Sequence, residues 1–358
     1  MNLQFIAGTR PEFIKIGPCV AELRVAGLKP EVLATGQHTD LLRGTPMETD
    51  LADAISLGLE SDGNVEQWLD RAVTVLSHRL SADHLVVVQG DTMSALAGAR
   101  AADKRNLELC HIEAGIRSHT LSEPWPEEGA RVEITQLADW HYAPTSTAYA
   151  NLLAEGVEPA RIRLTGNPVV SALARYSPAC PRAPIAQVLI TLHRREWRQG
   201  ATFLASLEAL SVAVMGEPKV QFLWPVHPGV LAMLPLAWRG NLPHNLQLVS
   251  PLPYARATTE LAGSIGVLTD SGGLQEEAAA LGVPCAVLRR VTDRPESIEA
   301  GLARRFDPTA DGVHAAVRTL CSGMLPRRPS DCFGDVTAAS QIARHLTSLT
   351  QRPGRFRE

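Results

Sequence analysis

Short apolar runs alternate with amphipathic stretches along almost the whole chain, and the alternation starts twice. LQFIAG, EVLATGQ, HLVVVQG, LELCHIE and ADWHYAP read as strands, with IGPCVAELRVAG, VEQWLDRAVTVLSHRL and SALAGARAADKR as helices among them. Strands spaced by helices form βαβ units, which build a parallel sheet. YSPACPRAPIA (176–186) is proline-rich and without periodicity, so it reads as a linker. After it the pattern resumes with the strands QVLITLH, VQFLWPVHP, LQLVSPL, IGVLTDSGG and PCAVLRR and the helices TFLASLEALSVAVM and LQEEAAALG. A chain of 358 residues exceeds what one compact core holds. The expectation is an α/β protein of two Rossmann-like doubly wound domains with an interdomain cleft. They span 1–175 and 187–330, joined by the linker, with a C-terminal helix and tail over 331–358 that packs back on the first domain.

Composition narrows the partners. Hydrophobic residues make up 45% and the net charge is −4, so no global attraction for nucleic acid or anionic lipid is expected and any anion site must be local. The six cysteines fall singly, without a CxxC pair, which argues against zinc or redox chemistry and predicts no metal site. No apolar run reaches membrane-spanning length and MNLQFIAGTRPEF lacks a signal-peptide pattern, so a cytoplasmic protein without a membrane partner is expected.

Two loops carry three acids. GDT (90–92) follows LVVVQ, and HIEAGIRSHTLSEPWPEEGAR (111–131) follows LELC. Asp91, Glu113 and Glu127 should therefore project from carboxyl ends of parallel strands, the edge where open α/β sheets bind ligands. Their mutual repulsion should leave a proton on one of them near neutral pH. Proton transfer needs such a group.

DSGGLQEE (270–277) places Ser271, Gly272 and Gly273 at a turn from a strand into a helix. Such a turn offers backbone amides at a positive helix end, and glycine lets a phosphate come close. Glu277, one turn on, is placed for a ribose hydroxyl. A tight turn followed by an ordinary surface helix would read the same way. GTRPEFIK (8–15) puts Arg10 in a loop and Lys15 about a turn into the next helix, a cation pair suited to a diphosphate. It matches neither the GxGxxG fingerprint nor a Walker A sequence. His193 in TLHRRE and His227 in PVHP end two strands of the second domain, where a histidine is more often structural. Arg294, in RRVTDRPESIEAG, could bind substrate or pair with Asp293 or Glu296.

Taken in order, GTRPEFIK, TGQH, QGDTMSALAGARAA, HIEAGIRS, PWPEEGAR, LTGNPVV, LHRRE, PVHP, DSGGLQEEAAALG and DRPES resemble the non-hydrolysing UDP-N-acetylglucosamine 2-epimerases from residue 8 to about residue 301. FGDVTAASQIARHL adds a weaker match. The related hydrolysing enzymes usually read GDR and EGGE where this chain has GDT and EAGI.

The resemblance implies a glycosyltransferase-B-like fold, a homodimer, and reversible conversion of UDP-N-acetylglucosamine to UDP-N-acetylmannosamine. UDP is eliminated to give bound 2-acetamidoglucal and is then added back, with no cofactor and no metal. By position, acid/base duty falls to Asp91, Glu113 and Glu127, supported by Lys15 and His193. Arg10, Ser271, Gly272 and Gly273 would hold the diphosphate and Arg131 would add charge. In many bacterial relatives a second substrate molecule activates the enzyme, and the matching positions are Gln37, Glu127, Arg194 and His227. This chain departs from the family at Leu192, Trp197, Arg290 and Val291, and between 39 and 66, where an activator-binding arginine is missing; weak or absent activation is expected. The alternatives are a hydrolysing epimerase, an epimerase for a modified UDP-amino sugar, a glycosyltransferase on the same fold, and a non-catalytic nucleotide-sugar sensor.

Overall fold

The computed structural model describes residues 2–36, 45, 47–60, 63–177, 185–194 and 200–352. The chain divides into two compact units, one formed by 1–176 with 334–358 and the other by 177–333. In the first, seven strands lie in the order β3-β2-β1-β4-β5-β6-β7: β1 Asn2–Ala7, β2 Glu31–Ala34, β3 Ile55–Ser56, β4 His84–Gln89, β5 Leu109–Ile112, β6 Trp140–Ala143 and β7 Ile162–Leu164. In the second, six strands lie in the order β10-β9-β8-β11-β12-β13: β8 Ile185–Thr191, β9 Gln221–Pro225, β10 Leu246–Val249, β11 Ser264–Thr269, β12 Cys285–Leu288 and β13 Ala303–Phe306.

Every pairing in both sheets is parallel. Helices cover both faces of such sheets, which is why strands like LVVVQ are buried without alternation. Strand order reverses between β1 and β4 in the first unit and between β8 and β11 in the second. Loops leaving the two central strands there diverge to opposite faces and open a crevice at the carboxyl edge. Each unit thus has one such switch point.

Local sequence sets how tightly helices sit on these sheets. The alanine-rich helix Met93–Lys104 follows β4, and a Cβ on its Gly98 would come within 2.9–3.1 Å of Val88 and Ile6. Only glycine allows that approach to β1 and β4. In the second unit, Phe222, Trp224, Leu207, Leu210 and Val317 are buried in a single apolar cluster. Helix Ala338–Thr350 packs on helices Arg10–Val25 and Pro168–Tyr176 of the first unit.

Three sequence expectations shift. The first helix starts at Arg10, because Glu12 caps it by accepting from Thr9 N at 2.7 Å and Pro11 suits its first turn. Arg10 is therefore helical and not in a loop. Glu127 opens helix Glu127–Leu137 and does not follow a strand directly. Tyr176 ends helix Pro168–Tyr176, buried with its hydroxyl donating to Asp50 at 2.6 Å, so the chain is still helical where the proline-rich stretch begins. Among the described residues, no helix is long and apolar enough to cross a membrane.

Candidate active site

At the switch point of the first unit, Asp91 and Glu113 leave the ends of β4 and β5. Gly90, with φ +73°, turns the chain so that Asp91 follows β4 directly. Glu113 itself adopts φ +68°, a left-handed conformation that costs a side-chain-bearing residue about 1–2 kcal/mol. Strain of this kind persists where surrounding contacts impose it. Here Lys15 Nζ lies 2.5 Å from Glu113 Oε2 with both side chains buried, and Gln89 Nε2 donates to the same oxygen. Lys15 is on the helix after β1 and Gln89 is the last residue of β4, so three adjacent strands converge on one carboxylate.

Asp91 shares a second cation with Glu128. Arg131 donates through Nε at 2.8 Å and through Nη2 to Asp91 Oδ2, while its Nη1 reaches Glu128 Oε2 at 3.0 Å. Glu128 also accepts from the backbone amides of Ser118 and His119 at 3.0 and 3.1 Å, which fixes the loop after Glu113. His111 Nε2 lies 2.8 Å from the Gly90 carbonyl, and since that oxygen can only accept, Nε2 is the protonated nitrogen. Burial holds the His111 pKa down at about 3.

Cations stand beside two of the three acids: Lys15 pairs with Glu113, and Arg131 is shared by Asp91 and Glu128. Burial pushes the Glu12 carboxyl up to about 7. Its oxygens accept from Gly8 N at 2.9 Å, Thr9 N at 2.7 Å and Thr92 Oγ1 at 2.7 Å. Glu127 is half-buried at its helix start, and Arg10 is half-buried at its own. Arg131 is paired with carboxylates of its own unit.

In the second unit, Ser271 caps helix Gly272–Leu281, accepting from Leu274 N at 3.5 Å, and Asp270 lies just before it. Asp270 Oδ2 accepts from the amides of His193 and Arg194, both at 2.7 Å, and His193 Nδ1 sits 3.2 Å from Oδ1. One carboxylate thereby ties the loop after β8 to the turn after β11, the two strands at this switch point. Arg294 is buried and pairs with Glu276 at 2.6 Å and Asp293 at 2.9 Å. Asp293 is one of the partners read from sequence, and Glu276 from the glycine-turn helix joins it. A Cβ on Gly272 would press on the Arg294 guanidinium at 3.3 Å, whereas one on Gly273 would meet no described atom within 4 Å. Glu277 is buried in the same helix.

His227 caps the short helix Pro228–Leu231, its Nδ1 accepting from Gly229 N at 3.1 Å, so its ring has a structural job. Arg194 is half-buried. Gln37 and Trp197 lie outside the described residues. Glu12, Gln89, Glu128, Asp270 and Glu276 were not singled out from sequence. Only Glu12 left a local sign, the T-x-x-E spacing of a capping box.

The family model described as UDP-N-acetylglucosamine 2-epimerase matches residues 21–347. A probable UDP-N-acetylglucosamine 2-epimerase of Ralstonia nicotianae is 33% identical over 367 residues, covering 95% of this chain and 97% of its own. The crystal structure of the Neisseria meningitidis UDP-GlcNAc 2-epimerase bound to UDP-GlcNAc superposes with a TM-score of 0.86 at 28% identity, covering 97% of this chain and 100% of that one. S. aureus MnaA in its co-structure with UDP gives a TM-score of 0.87 at 29% identity and 99% coverage of both chains. The fold is accordingly glycosyltransferase-B-like.

Proposed function

Because this chain belongs to the UDP-N-acetylglucosamine 2-epimerase family of isomerases, we propose that it interconverts UDP-N-acetylglucosamine and UDP-N-acetylmannosamine without net hydrolysis. The observation that carries this reading is the pair of acids at one sheet edge, each beside a buried cation: Glu113 with Lys15, and Asp91 with Arg131, which Glu128 shares. Inversion at carbon 2 needs proton transfer on both faces of the sugar, and two carboxylates held by different cations supply two such groups.

The bond from carbon 1 to the diphosphate oxygen breaks first, and UDP leaves with the electron pair. A carboxylate then takes the carbon 2 proton, giving 2-acetamidoglucal. Re-addition of UDP with a proton delivered to the opposite face completes the inversion. Holding UDP for its return falls to Ser271, Gly272 and Gly273, whose helix start stabilises anionic oxygen. Arg10 adds a cation and Glu277 meets the ribose. The same reading makes the protein a cytoplasmic homodimer.

Proton NMR of UDP-N-acetylglucosamine with the enzyme in deuterium oxide tests this. UDP-N-acetylmannosamine should accumulate with deuterium at carbon 2 and little UDP released. Release of UDP and free N-acetylmannosamine in equal amounts would make the enzyme a hydrolysing epimerase instead.

Gly273→Val should weaken UDP binding by roughly one to two decades, the scale for losing a charge-assisted phosphate contact. Since a side chain there meets no described atom, calorimetry reads its effect on the ligand directly, and unchanged affinity would remove the diphosphate from this turn. Gly272→Val is a poorer probe, because it also displaces Arg294. Rate against UDP-N-acetylglucosamine should be hyperbolic, since no arginine stands between Arg43 and Arg71 to bind an activator phosphate. A sigmoidal curve would restore the second site.

A further inference from the structure

Glu12 carries out no step of the proposed reaction, yet it is an acid with 1% of its surface exposed. One of its oxygens takes the amides of Gly8 and Thr9, which lead from β1 toward Arg10 and Lys15. The other takes the Thr92 hydroxyl, next to Asp91 on the loop after β4. These loops leave the two strands between which the sheet order reverses. They are pressed together: a Cβ on Gly8 would fall 1.9 Å from Ser94 Oγ, and Ser94 hydrogen-bonds Thr35 at 2.7 Å. An apolar side chain would fill the space of Glu12 but could not join the loops, whereas a carboxylate with an acceptor on each side can.

We propose that Glu12 is a positioning residue, whose carboxylate staples the loop after β1 to the loop after β4 and so sets Asp91 against Lys15 and Glu113. The assignment rests on the proposed function, since it concerns the spacing of groups used there. Proton transfer falls steeply with misplacement, and an error of about 1 Å can cost about a hundredfold.

The staple can be cut at its half-buried end. Thr92→Val removes the hydroxyl, Thr92→Ser keeps it, and Glu12→Gln keeps the bridge by accepting from the two amides while its own amide donates to Thr92 Oγ1. Turnover, KM, UDP affinity and melting temperature are compared with the wild type. Thr92→Val should turn over about 10–100-fold more slowly, with KM and UDP affinity within about twofold and the protein folded at the assay temperature. Thr92→Ser and Glu12→Gln should restore most of the rate. Wild-type turnover in Thr92→Val would overturn the proposal, as would an equal loss in Thr92→Ser or Glu12→Gln, or UDP affinity falling in step with rate. A wild type that leaves the sugar nucleotide unchanged removes the functional reading alone. The staple then stands or falls on the amide exchange of Gly8 and Thr9, which Thr92→Val should accelerate and Thr92→Ser should not.

Discussion

Glu113→Gln should turn over at least about a hundredfold more slowly than the wild type, the usual scale for losing a general acid or base. The substitution keeps the size of the side chain and leaves Lys15 and Gln89 in place. It removes only the group that can take or give a proton, and it abolishes the ion pair at 2.5 Å. Asp91→Asn should lose a comparable factor and also uncouple Arg131, which donates to Asp91 by two nitrogens. UDP affinity should hold in both variants, because neither residue lies near the glycine turn in sequence or in its own sheet. Steady-state rates together with deuterium wash-in at carbon 2 provide the check. If both variants keep near-normal rates, these side chains do not transfer the proton.

Acid should weaken the fold through three histidines whose charged form burial disfavours. Burial holds His111 at about 3 and both His141 and His345 at about 4, below the ordinary histidine value of 6.5. A depressed folded-state pKa contributes stability above the unfolded value that is lost as pH falls toward the folded one. Each histidine therefore costs about 1.4 kcal/mol per pH unit below 6.5. Glu12 works the other way: burial raises it from 4.5 to about 7, so it stabilises at low pH and that contribution is lost as pH rises through 7. Between pH 6.5 and 4.5 three losses meet one gain, and the net loss is at most about 2.7 kcal/mol per unit, since solvent screens the half-buried His345. Lowering the pH from about 6.5 to about 5 should thus cost the wild type roughly 3–4 kcal/mol. In His111→Gln, which can still donate to the Gly90 carbonyl, two losses meet the one gain and the step should cost about half as much. Urea unfolding at the two pH values measures this, and parallel pH dependence in the two proteins would mean that His111 titrates normally.

Much of the fold was legible because parallel strands buried on both faces write themselves as unbroken apolar runs. The glycine turn at Ser271–Gly272–Gly273 was legible for the same reason, a strand running straight into a helix. What the sequence could not convey was which strands become neighbours. Lys15 and Glu113 are 98 residues apart and meet only because β4 inserts between β1 and β5. Arg131 reaches Asp91 across 40 residues from a helix whose start reads as loop in the sequence. Three acids counted in sequence read as a cluster without partners, since the cations that pair with Glu113 and Asp91 are distant along the chain. Glu12 escaped notice for the opposite reason. Its T-x-x-E spacing announces a helix cap, and nothing local announces that Thr92 will complete the bridge.

The last helix has a consequence for how the protein is made. Ala338, Ile342, Leu346 and Leu349 are buried where Ala338–Thr350 covers the first unit, so the opening 176 residues leave the ribosome with that apolar seam uncovered. The whole second unit must be synthesised before the covering segment emerges. Domains that are continuous in sequence can finish folding in order of synthesis, but here the first unit to begin is the last to be sealed. A ribosome that stalls within the second unit would leave a nearly complete first sheet on a particle that still exposes this surface to other nascent chains.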